Sequence, residues 1–379
     1  YRHAAKADSV QQRRPNVVLI MMESMSAKFM KHFGQSETLT PFLDSLYTRS
    51  ISFRNFYSAG IHTNHGLYAT LYSFPAMMKR NLMKGSVIPR YSGLPTVLKE
   101  NGYYNLFFMT HEGQYDNMNA FFRTNGYDEV FSQEDYPADK VVNSFGVQDD
   151  FLYDYAIPVL NQRAATGQPF FATLLSISNH PPYVIPPFFH PKTSEPETQI
   201  VEYADWALRQ FFEEARKQPW FDNTIFVLEG DHGKLVGDAE CELPESYNHI
   251  PLMIYSSRIQ PEEKTTFGGQ VDIQPTILGL LNIDYLQNNF GVDLLKEERP
   301  CMFYTADNMV VGRNDTLLYL YNYETQQELT YDIGNGKLNA VPMDDSFLPL
   351  KEYSFSMLQS AEFLVKHGKT LNSIPFTQQ

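Results

Sequence analysis

A carboxylate and an imidazole stand side by side in Glu229-Gly230-Asp231-His232-Gly233, flanked by glycines that let both turn toward one cation. Alone, an Asp-His-Gly reads about as readily as a polar turn, so its context decides. The segment follows residues 224–228, an apolar strand pattern. A second acid, Glu23, follows Asn16-Val17-Val18-Leu19-Ile20-Met21-Met22, a β-branched apolar run that reads as a strand buried on both faces of a parallel sheet. Open α/β sheets gather ligands at the carboxyl ends of their strands, which makes Glu23 and Asp231 candidates for one site. The segment Gly60-Ile61-His62-Thr63-Asn64-His65-Gly66 leads into a helical pattern at 67–71. A threonine at a helix N-terminus beside a divalent cation would face two influences that favour alkoxide over alcohol. Thr63 is therefore a candidate nucleophile. His62 and His65 flank it as candidates for a proton relay or an extra ligand.

The elements that must position these residues can be read from the same chain. Strands are expected at 51–53, 105–109, 170–177 and 251–255, in addition to the two above. Helices are expected at 40–46, with Thr40 as cap and Pro41 at the first position, at 95–101 and at 201–217. This alternation predicts an α/β fold with a mixed or parallel sheet. Near residue 300 the texture changes: 316–323 and 328–332 read as an antiparallel hairpin, and 354–367 as a closing helix. The division expected is a polar linker or juxtamembrane stalk over 1–15, a catalytic α/β domain over 16–300 and a C-terminal subdomain over 301–379. Pro181-Pro182 and Pro186-Pro187 mark a long irregular loop of the kind that lines sites.

Composition excludes several classes. With 43% hydrophobic and 20% charged residues in 379, the chain is globular. Thirty Lys and Arg against 44 Asp and Glu give a net charge of −14, and no basic tract is present, so nucleic acid is not an expected partner. Cys241 and Cys301 could pair once but cannot make a disulfide framework or a multi-cysteine zinc site. No apolar run approaches the ~18 residues of a membrane helix. The polar, basic start without Met suits either a cut through a longer chain or a juxtamembrane stalk below an upstream membrane segment.

Several motifs occur together in a fixed order: Met22-Glu23-Ser24, Leu39-Thr40-Pro41-Phe42-Leu43, Phe53-Arg54-Asn55-Phe56-Tyr57, the Thr63 segment, Ser178-Asn179-His180-Pro181-Pro182-Tyr183, Gly230-Asp231-His232-Gly233 and His249-Ile250-Pro251-Leu252. In these the chain resembles, over most of its length, the extracytoplasmic catalytic domain of the lipoteichoic acid synthase and phosphoglycerol transferase family, in the sulfatase branch of the alkaline phosphatase superfamily. The resemblance implies a central, mostly parallel sheet flanked by helices, with a small C-terminal antiparallel sheet and closing helix. It implies Glu23, Thr63, Asp231 and His232 as ligands of one divalent ion, with Thr63 also the catalytic nucleophile. Ligand chemistry alone leaves Mn²⁺, Mg²⁺ and Zn²⁺ open, and the family tilts the choice to manganese.

By the same resemblance His111 and His180 would bind the substrate's phosphate and head group, the plain alternative for each being a surface-loop histidine. His249 could support the site from behind or protonate a leaving group, although a satisfied core histidine is the commoner explanation. The segment 114–119 departs from the synthases in lacking their Trp and Arg near glycerol phosphate; Asn117 would make polar contacts instead, and Arg123 could supply charge. The implied reaction moves a phosphoglycerol, or related phospho head group, from a phosphatidylglycerol-like membrane lipid to a glycan, lipid or polyol acceptor. It would take place in the periplasm or at the cell surface, on a chain anchored by an upstream segment. A sulfuric ester hydrolase would need Cys or Ser in a Cys/Ser-x-Pro/Ala-x-Arg setting, which neither Cys241 nor Cys301 has. A two-metal phosphatase or phosphodiesterase would need a further Asp/His/His set. An inactive envelope-binding module would not be expected to retain all four ligands.

Overall fold

The computed structural model describes residues 14–334 and 336–372, so the expected stalk lies outside the described residues as far as residue 13. Arg14 and Pro15 are held against the body: Arg14 Nη1 donates to the Asn101 carbonyl at 2.7 Å, and the Tyr103 hydroxyl donates to the Pro15 carbonyl at 2.9 Å.

Eight strands form one sheet: β1 (Asn16–Met22), β2 (Ile51–Tyr57), β3 (Tyr104–Phe108), β4 (Glu129–Phe131), β5 (Phe170–Leu175), β6 (Thr224–Gly230), β7 (Leu252–Tyr255) and β8 (Glu262–Gly269). Their spatial order is β4-β3-β5-β1-β6-β7-β2-β8, and every neighbouring pair is parallel except the two that β7 makes. Seven helices cover its faces: α1 (Pro41–Tyr47), α2 (Thr63–Tyr72), α3 (Leu94–Glu100), α4 (Met118–Thr124), α5 (Asp149–Ala165), α6 (Pro196–Ala215) and α7 (Ile273–Leu280). Successive β1 side chains feed two separate cores. Val17, Leu19 and Met21 pack with Leu71 of α2 and Ile277 of α7, while Val18 and Ile20 pack with Leu46, Leu152 and Leu208 of α1, α5 and α6. Both faces are dry, which is why the run shows no polar alternation. Each such aliphatic side chain contributes about 1.5–3 kcal/mol on burial.

Thr40 precedes α1 and Pro41 opens it, but the cap comes from elsewhere. The Asp205 carboxylate of α6 accepts from the Phe42 and Leu43 N–H groups at 2.9 Å each, while the Thr40 hydroxyl donates to the Phe29 carbonyl and to Asp44. Burial pushes Asp205 up to about 7 in spite of these bonds.

A second, antiparallel sheet of β9 (Met302–Thr305), β10 (Met309–Arg313), β11 (Leu317–Asn322), β12 (Gln327–Gly334) and β13 (Lys337–Ala340) is covered by α8 (Leu348–Lys366). The hairpin expected from sequence is β11 with β12. Tyr57 and Phe267 of the large sheet share one core cluster with Met302 and Tyr304 of the small one. Cys241 and Cys301 are both free thiols, so the single pairing the sequence allows does not form.

Candidate active site

Strands β5, β1 and β6 lie side by side and parallel, and Met22 stands level with Gly230. Glu23 and Asp231 therefore leave the sheet as neighbours, and His232 follows. One ligand atom from each of Glu23, Asp231 and His232 lies within 4.8 Å of the others. Asp231 Oδ1 accepts from the Ser24 and His232 N–H groups at 2.8 and 2.7 Å, whereas Oδ2 is buried with no hydrogen-bond partner. Ser24 adopts a left-handed φ of 50°, which turns its N–H back toward Asp231. In the tautomer whose Nδ1 donates to the Gly233 carbonyl at 2.7 Å, His232 keeps its Nε2 lone pair free, 3.6 Å from Asp231 and 3.8 Å from Glu23. Burial first, and then the charge of Asp231, hold the Glu23 carboxyl well above the usual carboxylate range. Two carboxylates, one of them with an unsatisfied buried oxygen, and an imidazole are the donor set of a hard divalent cation, so the residues fit such an ion.

Thr63 is the first residue of α2, and its Oγ1 lies 3.4 Å from Glu23 Oε2. The approach depends on Gly66, one turn on: a Cβ there would sit 2.2 Å from the Asp231 carbonyl oxygen. Gln270 locks the same junction by donating to the Gly230 and Asp231 carbonyls at 3.1 and 2.8 Å. His62 points away from the cluster toward the small sheet, with Nε2 2.6 Å from Asp307 Oδ1. His65 is buried and driven down to about 3, first by burial and then by His62, so it is a neutral core imidazole.

His111 and His180 stand on one aromatic wall. His111 packs on Tyr115 with ring centroids 4.7 Å apart, Tyr115 meets Phe145 at 6.4 Å, and Phe145 meets His180 at 4.0 Å. Burial lowers the His111 pKa, and its Nδ1 bonds the Glu112 carbonyl at 3.1 Å. The Tyr115 phenol is raised first by burial, then by the charges of Asp116 and Glu23. Asn117 is turned elsewhere, its amide donating to the Met83 carbonyl at 3.3 Å; Asp116 beside it accepts from Asn64 at 3.3 Å and pairs with Lys84 at 2.7 Å. Arg123 is occupied by Asn119 and the Val130 carbonyl. The His249 ring stacks on Tyr57 and bonds the Arg54 carbonyl at 2.8 Å, so its side chain touches none of the cluster residues.

Lys234 was not singled out from sequence. Its Nζ donates to Asn179 Oδ1 at 2.6 Å and to the Tyr183 hydroxyl at 3.1 Å, and it lies over the rings of Phe29 and Tyr183. Burial lowers it to about 8, opposed by the charge of Glu23. Asn179 in turn donates to the Glu23 and Ser24 carbonyls at 3.1 and 3.2 Å, tying the loop after β5 to the end of β1. The only sequence signal was the placement of Lys234 two residues beyond His232.

A mostly parallel sheet with two acids, a histidine and a helix-initial threonine at its carboxyl edge defines an enzyme of the alkaline phosphatase superfamily. The chain belongs to the sulfatase family, whose model matches residues 15–283. Lipoteichoic acid synthase 1 of Bacillus subtilis (strain 168) is 25% identical over 350 residues, which cover 85% of this chain and 53% of that protein. Phosphoglycerol transferase I of Xanthomonas campestris pv. campestris is 26% identical over 322 residues, 80% of this chain and 46% of its own length. The chain thus spans about half the length of these curated relatives. A solved protein of the alkaline phosphatase superfamily from Vibrio parahaemolyticus superposes with a TM-score of 0.84 at 27% identity, over 94% of this chain and 88% of that one.

Proposed function

We propose that this chain is a metal-dependent transferase that moves a phosphoglycerol, or a related phospho head group, from a membrane lipid to an acceptor through a covalent phospho-threonine at Thr63. The observation that carries the reading is the Thr63 hydroxyl 3.4 Å from Glu23, at a three-residue cluster with an unsatisfied buried oxygen. Relatives named lipoteichoic acid synthase and phosphoglycerol transferase support the reaction class.

Glu23, Asp231, His232 and the Thr63 oxygen would hold one divalent ion, Mn²⁺ by family likeness, with Mg²⁺ and Zn²⁺ compatible with the donors. When bound, that ion would neutralise charge at phosphorus and lower the proton affinity of the Thr63 hydroxyl. Thr63 Oγ forms a bond to phosphorus, the bond from phosphorus to the lipid alcohol breaks, and the departing alcohol takes the proton that Thr63 gives up. An acceptor hydroxyl then displaces Thr63 from phosphorus and Thr63 regains a proton. Lys234 and, when protonated on both nitrogens, His180 would donate to the phosphate oxygens; neutral His111, whose one N–H goes to the Glu112 carbonyl, would present an accepting Nε2 to a substrate hydroxyl.

The same reading places the catalytic domain at 16–300 and a supporting subdomain at 301–379. The site would be extracytoplasmic, with a phosphatidylglycerol-like donor and a tether upstream of the present chain. Among the described residues no helix is long and apolar enough to cross a membrane.

The test incubates the protein and a Thr63→Ala variant with Mn²⁺ and a short-chain phosphatidylglycerol or phosphatidylethanolamine analogue. Mass spectrometry should find diacylglycerol release and a phospho adduct on the Thr63 peptide of the unmodified chain only. Equal release by both proteins would remove Thr63 from the reaction.

A further inference from the structure

We infer that the small C-terminal sheet and α8 fix the spacing between Thr63 and the Asp231–His232 pair, with Arg299 and Arg313 as the positioning residues, a role that rests on the transfer reading above only in what the spacing serves.

Two arms of backbone must meet at the site. One is the segment 58–60, which leaves β2 and leads toward Thr63; the other is 230–233, which ends β6 and carries Asp231 and His232. Two short turns span both arms. In the turn Gln270–Asp272, between β8 and α7, the buried Gln270 amide accepts from the Ala59 N–H at 2.9 Å and donates to the Gly230 and Asp231 carbonyls at 3.1 and 2.8 Å. In the turn Glu245–Tyr247, the Tyr247 carbonyl accepts from the Gly233 N–H at 2.8 Å. Asn248, the next residue, accepts from the Ser58 N–H at 2.7 Å through its carbonyl and donates to the Gly60 carbonyl at 3.4 Å through its amide. The fit is close, since a Cβ on Gly233 would sit 2.0 Å from the Ser246 carbonyl oxygen.

Each turn is held from the side of the small sheet by an arginine. Arg299, three residues before β9, donates from Nε and Nη2 to the two Asp272 carboxylate oxygens at 2.8 and 2.5 Å, and from Nη1 to the Tyr353 hydroxyl of α8 at 2.6 Å. The Arg299 and Asp272 side chains are 6% and 0% exposed, so this two-pronged bond is shut off from water and holds one geometry. Arg313 of β10 donates to Glu245 at 2.6 Å, and the Tyr57 hydroxyl donates to the same oxygen at 3.0 Å. The Thr305 N–H of β9 adds a direct bond to the Ala59 carbonyl at 3.0 Å. Displacement at phosphorus tolerates little error in this spacing, a misplacement of ~1 Å costing roughly a hundredfold in rate. His111 and His180 lie on the loops after β3 and β5, and among the described residues neither turn bonds them, so the hold on substrate is separate from this linkage.

The test substitutes each arginine in the full chain and reads the two arms directly. Arg299→Met and Arg313→Met should speed amide hydrogen–deuterium exchange in peptides covering 58–66 and 230–236. Each should also weaken Mn²⁺ binding, measured by isothermal titration calorimetry, about tenfold and lower kcat on the short-chain phosphatidylglycerol analogue about tenfold, with KM within about twofold. Arg313→Lys keeps one donor to Glu245 and should recover most of the loss, whereas Arg299→Lys cannot make both prongs and should not. Leu160→Ala, a core lesion in α5, controls for instability: it should lower Tm and leave exchange in both peptides, Mn²⁺ binding and kcat unchanged. Circular dichroism confirms that each variant is folded. Should a methionine variant not fold, Tyr353→Phe and Tyr57→Phe, which each delete one hydroxyl from a linkage, should show the same changes at smaller size. Folded variants whose two peptides exchange as in the unmodified chain, or a fall in kcat that Leu160→Ala matches at equal loss of Tm, would overturn the proposal. The two readings fail separately: without a Thr63 adduct the transfer reading falls while exchange still decides the linkage, and an adduct formed at full rate by both methionine variants sinks the linkage alone.

Discussion

A threonine hydroxyl is a poor nucleophile in water, and what distinguishes Thr63 is its surroundings. It sits at the positive end of a ten-residue helix and against a carboxylate whose proton affinity burial has raised. Glu23 and Asp231 repel each other in a buried setting, so a divalent cation should stabilise the fold by binding them together. At a hundred times its dissociation constant, Mn²⁺ should add about 2.7 kcal/mol, read as a rise in Tm that EDTA reverses. Asp231→Asn should remove that rise; an unchanged Mn²⁺ response in the variant would move the ion elsewhere. Lys234 presents a cation held by Asn179 and Tyr183 beside the same cluster. A charge-assisted hydrogen bond to a phosphate oxygen is worth about 1.5–3 kcal/mol, so Lys234→Met should slow lipid consumption roughly tenfold to a hundredfold. A rate within twofold of the unmodified enzyme would show that Lys234 serves only to hold the loop. Glu23, Asp231 and His232 could be picked out along the chain because each follows an apolar strand. Lys234 could not, because nothing local separates it from a solvated lysine until the loop after β5 folds over it.

At the scale of elements, legibility followed burial. The runs that became β1, β5 and β6 have both faces in the core and stand out as apolar stretches. β8 escaped notice because its first half, with Glu262 and Glu263, is an exposed, charged edge. α5 carries Pro158 within its 17 residues, which breaks the helical pattern that sequence reading relies on. The cap of α1 shows how far an element's partner can lie, since Asp205 comes from α6, 163 residues beyond Phe42. With Asp205 raised from 3.8 to about 7 in the fold, the folded state binds more protons than the unfolded chain between those values. Its contribution to stability is therefore greatest at low pH and is lost as pH rises from about 4 through about 7. Asp205→Asn cannot ionise and should flatten the dependence of Tm on pH across that window, at a cost of about 1 kcal/mol for the N–H left without an acceptor. An identical pH profile in the variant would place the titration on another group.

At the scale of the whole molecule, the net charge of −14 would set how the enzyme meets a membrane under the proposed function. An anionic bilayer repels such a chain unless something tethers it, and screening shortens the reach of that repulsion from about 30 Å at 0.01 M salt to about 8 Å at 0.15 M. Turnover of the untethered protein on phosphatidylglycerol vesicles should therefore rise with salt over this range. Turnover that falls instead would point to a basic contact surface hidden by the net charge. The sequence by itself determined the three strand-end candidates, the helix-initial threonine and the α/β class, because each is written in a local pattern of apolar runs and polar interruptions. Only the tertiary structure decided that Asn117 and His249 turn away, that Lys234 and Asn179 close over Glu23, and that the small sheet brings Asp307 to His62. Those contacts join segments far apart in the chain, and side-chain direction across such distances is fixed by packing between elements, on which local pattern is silent.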